Sequence, residues 1–296
     1  MSTKAIRAGR RHRGTGTTPA APFLATSLAC LAGLIATYWF YVSTGTGQFI
    51  DESALVEATV ARGIIGAQTS QLLDLLPVTS AVIAALVVLF VTLARKRWKA
   101  AGIALGAMAA ANLSVQLIKI WLPDRPNVGV TTLALNSLPS GHSALAASAA
   151  AAVFLVVSPR WRPAAAFMGG TYAILAGVST LINQWHRPSD VLAAFFIVAF
   201  FTALAALAVL RTGPSWNVWL GAGQHWASSR WWPAAATLMA LLTGGAMLLI
   251  LRQVVGHSAT STTSFFLAGV GQIVVVGYAL TVAGTLLLTD QVRRRS

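Results

Sequence analysis

The sequence predicts an all-α, polytopic helical membrane protein, and three observations carry that prediction. Hydrophobic residues make up 56% of the 296 and charged residues only 9%, against about a quarter charged in soluble domains. The apolar runs are long and unbroken, eight of them near membrane length, where a transmembrane barrel would show short alternating strands. Lys and Arg gather in alternate connections, the pattern of cytoplasmic loops. The formal charge of +14 is therefore read as membrane topology, and no nucleic-acid partner is expected. The single Cys30 lies inside an apolar run, so no disulfide forms within the chain.

In chain order, residues 1–20 hold Lys4, Arg7, Arg10, Arg11 and Arg13 among Gly and Thr. They predict a disordered basic cytoplasmic tail near anionic lipid headgroups. The run that follows is long enough to span and has no small-residue cleavage site, which argues against a secretory signal peptide. Span 1 is Pro22–Val42 and closes with an interfacial aromatic belt, Tyr38 to Tyr41. Residues 43–77 carry Asp51, Glu52, Glu57 and Asp74, and predict short amphipathic helices lying along the interface. Span 2, Val78–Ala94, is followed by Arg95, Lys96, Arg97 and Lys99. Span 3, Ala100–Ile118, ends at Lys119, with Asn112, Gln116 and Lys119 on one helical face. That face suits interhelical hydrogen bonding or a polar track toward a site. Its ending in Lys119 favours the track.

Span 4, Ser143–Val157, is short and is followed by Arg160 and Arg162. Span 5 is Pro163–Ile182 and span 6 Pro188–Leu210. Residues 212–232 read as a cytoplasmic loop with several Trp. Residues 233–288 hold two more spans, Pro233–Leu251 and Ser264–Leu288. Gly269, Gly271, Gly277 and Gly284 allow close packing in the last of these. Residues 289–296 form a basic cytoplasmic C-terminus. Pro22, Pro163, Pro188 and Pro233 sit where a helix starts and an N–H is not needed.

Eight spans place both termini on one side. With the termini inside, the inner segments hold 16 of the 21 Lys and Arg, and six of the seven acidic residues fall outside. The expected location is therefore a cell membrane, with both termini cytoplasmic. Three polar stretches, at 119–126, 138–143 and 186–190, then share the extracytoplasmic face.

Those stretches make a chemical set. Ser140 is a good N-cap, Gly141 lets the backbone approach a ligand, and the first free N–H groups of the helix make an anion site. Asp190, four residues after His186, can fix one imidazole nitrogen and leave the other to attack. His142 suits a general acid on the leaving oxygen. Lys119, Arg125 and the N–H groups near Ser140 and Gly141 can hold phosphate oxygens. No acidic cluster suits magnesium and no Cys/His spacing suits zinc, so no metal or other cofactor is expected. Singly, each residue has an ordinary reading. A His packs at an interface, Lys119 and Arg125 snorkel, and Asp190 offsets a helix dipole. Ionisable groups in membranes are expensive, and their convergence on one face favours a phosphoryl-transfer site. Asp124 reads as a loop or ion-pair residue, and His12, His225 and His257 have no such company.

Lys119…Arg125-Pro126, Pro139-Ser140-Gly141-His142 and Ser179…His186…Asp190 resemble the three motifs of the type 2 phosphatidic acid phosphatase superfamily, membrane relatives of the vanadium haloperoxidases. The resemblance implies a core of six transmembrane helices, here residues 21–211, with the last two spans as additions. It implies metal-independent dephosphorylation through a phosphohistidine. His186 would be the nucleophile, Asp190 its partner and His142 the acid, with Lys119, Arg125, Ser140 and Gly141 on the phosphate. Two departures stand out. The first motif has five residues between Lys119 and Arg125-Pro126, where six are usual. The third reads Ser179-Thr180 where Ser-Arg is usual, so its phosphate-binding arginine is missing, and Arg187 is the candidate replacement.

The expected activity is removal of phosphate from a lipid phosphate or pyrophosphate, a polyprenyl carrier or a phospholipid of the cell envelope. The expected partners are that substrate and the surrounding membrane lipids. The alternatives are a lipid-headgroup phosphotransferase of the same fold and a non-catalytic phospholipid-binding relative. A transporter would place its polar residues near the midplane.

Overall fold

The computed structural model describes residues 18–131, 136–213, 217, 225–256 and 263–293. These residues form eight α-helices and no strand. The helices are α1 Ala21–Ser43, α2 Gly45–Arg95, α3 Trp98–Trp121, α4 Gly141–Val156, α5 Arg162–Ile182, α6 Pro188–Thr212, α7 Trp231–Gly256 and α8 Ser264–Arg293. Seven are long and apolar enough to cross a membrane, so the chain is the all-α polytopic membrane protein its composition predicts. Residues 1–17, with His12, and also His257 lie outside the described residues.

The eighth helix, α4, has 16 residues and is roughly 24 Å long, short of the ~30 Å apolar thickness of a bilayer. It is packed among α2, α3, α5 and α6, so protein surrounds it. Its two ends also meet opposite ends of α3. Gly141 lies beside Lys119, and the Val156 carbonyl accepts a 3.3 Å hydrogen bond from Arg97. The helix therefore runs the length of the bundle in the reverse sense to α3.

One expectation is corrected. Residues 43–77 are not short interfacial helices but the first part of a single 51-residue helix, α2. Thr44 caps its start, accepting from the Gly47 N–H at 3.0 Å, and Lys96 ends it in the left-handed conformation at φ 52°, the usual helix stop. Between them only Pro77 lacks an N–H, which marks the passage from the polar half to the apolar one. The polar half stays helical because it is bonded along its length. Leu55 O and Thr59 Oγ1 accept from Gln184 Nε2 at 2.9 and 3.0 Å. Thr69 Oγ1 accepts from Asn183 Nδ2 at 2.7 Å. Glu57 Oε2 accepts from the Phe266 N–H at 2.9 Å, satisfying an orphan donor at the start of α8. The apolar half descends along α4 and α5, with Ser80 and Tyr172 hydroxyls 2.7 Å apart.

The two C-terminal helices differ in their place. α7 leans on α8, while α8 also packs on α2, α5 and α6. Gly269 permits this, since a Cβ there would meet Pro188 Cγ at 2.7 Å and Ala54 Cβ at 3.1 Å. Between α4, α5, α6 and α8 lies a cavity of about 130 Å³, lined almost wholly by Ala, Gly, Val, Leu and Phe. Its Thr26, Thr202 and Thr281 hydroxyls are bonded to carbonyls of their own helices. It offers no unpaired hydroxyl and suits hydrocarbon better than water.

Candidate active site

The polar stretches meet at one end of the bundle, where α3 and α5 finish and α4 and α6 begin. Each is held there by local sequence. Pro188 occupies the first turn of α6, where its missing N–H is harmless. Ser140 caps α4, its Oγ accepting from the Ser143 N–H at 3.4 Å and the Ser143 hydroxyl at 2.9 Å. The two starts are joined directly by a 2.8 Å hydrogen bond from the Ser140 N–H to the Asp190 carbonyl. The Gly141 and His142 N–H groups make no hydrogen bond among the described residues. They are the open donors of the helix dipole's positive end.

His186 sits on the turn after α5. The Thr180 carbonyl holds that turn, accepting from the Trp185 N–H at 2.9 Å and the His186 N–H at 3.3 Å. His186 Nδ1 lies 3.1 Å from Asp190 Oδ2. Asp190 is fully buried, and the same oxygen accepts from the Ser137 hydroxyl at 2.5 Å and the Arg187 N–H at 3.1 Å. Three donors fix the carboxylate, and the carboxylate fixes the imidazole, leaving Nε2 as the nitrogen that Asp190 does not engage. His142 stands ahead of the apolar stretch of α4, with its ring 5.4 Å from that of Trp185. Burial, helped by the nearby Lys119 charge, pulls its pKa below the ordinary histidine value, and Asp74 opposes them.

Lys119 and Gln116 point over Gly141. A Cβ on that glycine would lie 3.8 Å from Lys119 Nζ and 3.9 Å from Gln116 Nε2, so the missing side chain leaves the two donors facing the α4 N-terminus. The arginines are placed differently. Arg125, buried, has its NH2 group 3.1 Å from Asp51 Oδ2 and 3.9 Å from Asp190 Oδ1. Arg187 donates from Nε to Glu52 Oε2 at 2.7 Å and from NH1 to the Ser137 hydroxyl at 3.2 Å. Asp51 in turn accepts from the Ser189 N–H at 3.0 Å and its hydroxyl at 2.6 Å. Thr180, standing where an arginine is usual, is buried with its hydroxyl turned back on the Gly177 carbonyl at 2.7 Å. Asp124 is exposed on the connection after α3. His225 caps a short helical turn, accepting from the Ala227 N–H at 3.2 Å.

Asp51, Glu52, Ser137 and Ser189 are site residues that sequence reading did not single out. One signal for them existed. Only seven acidic residues are present, and two adjacent ones, Asp51 and Glu52, face the two arginines of the site. Among the described residues no group of three or more His, Cys, Asp or Glu side chains could hold a metal ion.

Residues 100–214, from α3 to just past the end of α6, match the sequence model of the PAP2 superfamily. No curated protein matches the chain, and no solved structure does. The matched segment holds all three motifs, from Lys119 to Asp190, and it is in this segment that the chain is similar to the PAP2 superfamily.

Proposed function

We propose that the protein removes phosphate from a membrane lipid phosphate or pyrophosphate at the extracytoplasmic face, through a phosphohistidine on His186. The observation that carries this reading is the buried Asp190 carboxylate on His186 Nδ1, beside an α4 N-terminus with open N–H groups and Lys119 over it.

The steps follow from that arrangement. The His186 Nε2 lone pair forms a bond to phosphorus as the bond from phosphorus to the lipid oxygen breaks. His142 gives its proton to the departing oxygen, which leaves as an alcohol or a lipid monophosphate. Asp190 stabilises the positive charge that the imidazole gains. Lys119 and the Gly141 and His142 N–H groups meet the charge on the transferring group. Water, losing a proton to His142, then attacks phosphorus, the P–N bond breaks, and inorganic phosphate departs with His186 restored. A substrate fixed at this level keeps its chain in the bilayer, so long-chain polyprenyl and diacyl phosphates are the expected class.

The test is phosphate release in detergent from polyprenyl pyrophosphate, polyprenyl phosphate, phosphatidic acid and phosphatidylglycerol phosphate, with EDTA present. Wild type is expected to release phosphate from at least one of them, and His186→Ala to release none. Release that needs a divalent cation, or that survives in His186→Ala, overturns the mechanism. Release that needs an added alcohol acceptor identifies a transferase instead.

A further inference from the structure

The apolar cavity between α4, α5, α6 and α8 is separate from the reaction centre. Ala144 on α4 and Val191 and Ala194 on α6 stand between the site residues of those helices and the first lining residues, Ala147 and Phe195, and all three are fully buried. At the same level α5 closes on α6, since a Cβ on Gly177 would meet Val191 Cγ1 at 2.6 Å. Below that seal the lining follows α6 from Phe195 to Ala206, a rise of roughly 16 Å. The volume of about 130 Å³ is close to that of a cavity that binds benzene, which leaves room for a length of one hydrocarbon chain and not for a second. The wall is incomplete: Ala283 of α8 lines the cavity and is exposed, so the space opens sideways onto the bilayer.

The end of the cavity away from the site is flanked by cations without countercharge. Arg162 opens α5, one turn before the lining residues Ala165 and Ala166, and Arg211 lies in the last turn of α6, just beyond Ala206. Arg211 is exposed, its NH2 group 3.5 Å from the Thr18 carbonyl. Arg162 is 2% exposed. Its NH2 group donates to Asn217 at 2.6 Å, and its Nε and NH1 groups are buried with no hydrogen bond among the described residues. The charge that bears on it is that of another arginine, Arg97. Neither Arg162 nor Arg211 makes an ion pair among the described residues. A buried guanidinium with unmet donors and no countercharge is costly to keep, and the neutral amide of Asn217 offsets none of the charge. The turn that precedes Arg162, Pro159–Trp161, is only half-buried, so the guanidinium lies close to the surface at that end.

We propose that this cavity binds one chain of an anionic phospholipid, which enters sideways past Ala283 and sets its headgroup phosphate on Arg162 and Arg211. The chain fills the apolar space, and the phosphate supplies the acceptors and the charge that Arg162 lacks, a pairing the planar guanidinium fork suits. The lipid is a resident part of the wall between α8 and the rest of the bundle. It is not the substrate, because its phosphate sits at the opposite end of the bundle from His186.

The test uses the full chain in detergent, titrated with dioleoyl phosphatidylglycerol, a phosphodiester, and with dioleoyl phosphatidylcholine, and read by native mass spectrometry and thermal unfolding. Wild type is expected to bind one phosphatidylglycerol about tenfold or more tightly than phosphatidylcholine, the size of a hydrogen bond to a charged group, and to unfold at a higher temperature with it. Arg162→Met removes the cation together with its need for an anion. Without lipid it should unfold no lower than wild type, and its preference for phosphatidylglycerol should shrink to within about threefold. Phosphatidylglycerol carrying a diazirine in one chain, photolysed on wild type, should label α6 between Phe195 and Ala206 and α8 between Gly277 and Leu288. Ala203→Phe, which fills the cavity, and Ala283→Trp, which blocks its mouth, should each lose that label. The second is at an exposed position and stays informative if overpacking keeps the first from folding. Equal binding of the two lipids to wild type overturns the proposal, as does an undiminished preference in Arg162→Met. Label that persists on these stretches in Ala283→Trp, or that falls on the reaction centre instead, overturns it as well.

Discussion

His142 and His186 share a site and differ in what surrounds them. His186 has a buried carboxylate 3.1 Å from Nδ1, whereas His142 has an aromatic neighbour, burial and the nearby Lys119 acting against its charged form, and Asp74 to oppose them. A histidine whose pKa is pulled down sheds its proton at a lower pH than the ordinary value of ~6.5. If His142 is the acid, the competent free enzyme is its protonated form, which dwindles as pH rises through that lowered pKa. The value of kcat/KM, which reports the free enzyme, should therefore fall across neutral pH toward the alkaline side. A profile that rises from pH 6 to pH 8 would remove His142 from that role. The leaving group gives a second check. A lipid alkoxide needs a proton and an aryl oxide does not, so in kcat/KM, which covers only the steps through departure of the leaving group, His142→Ala should lose about 10²- to 10⁴-fold on the lipid phosphate and far less on p-nitrophenyl phosphate. Equal losses on both would mark His142 as structural.

Among the elements, α8 links the part of the chain outside the matched segment to the chemistry. Gly269 lets it close on Pro188, which stands between His186 and Asp190, and on Ala54, which lies two residues after Glu52 on α2. Gly269→Val should push Pro188 aside, cost about 1–3 kcal/mol by overpacking, lower the thermal unfolding midpoint in detergent and reduce turnover with it. A variant as stable as wild type but inactive would still place α8 behind the site, while one unchanged in both would detach it. The helices themselves were largely legible in sequence, because apolar runs bounded by Pro, Gly and basic residues leave few alternatives in a membrane. What was not legible was the continuity of α2. Its polar half has the composition of an interfacial segment, and its helicity comes from distant partners, Gln184, Asn183 and Phe266, which no local pattern announces. The same gap hid part of the site. His186 and Asp190 were readable from their spacing of four and Ser140 from its capping position. The pairing of Arg125 with Asp51 joins residues 74 apart, and only the packing of α2 across the bundle end brings them together.

At the scale of the whole molecule, charge and chemistry divide between the two ends of the bundle. The end with the site gathers Asp51, Glu52, Asp190 and the α4 N-terminus. The other end holds Arg97 against the carboxyl end of α4, and Arg162 donating to Asn217 at 2.6 Å. Helix direction reinforces the division, since cations are favoured at a helix C-terminus and anions at an N-terminus, so α4 suits basic residues below and a phosphate above. Membrane insertion reads the same asymmetry, retaining Lys- and Arg-rich segments in the cytoplasm. The orientation can be measured directly because the chain has one cysteine, Cys30, and it is buried in α1. In a Cys30→Ser background, Asp124→Cys places a thiol on an exposed position at the site end, and Lys99→Cys places one at the opposite end. A membrane-impermeant maleimide applied to intact cells should label the first, and the second only after permeabilisation. The reverse pattern would turn the site toward the cytoplasm, and the lipid phosphates it meets would then be those of the inner leaflet. Labelling of both in intact cells would break the even count of crossings, and α4, the one α-helix among the described residues shorter than the bilayer, would be the helix to re-examine.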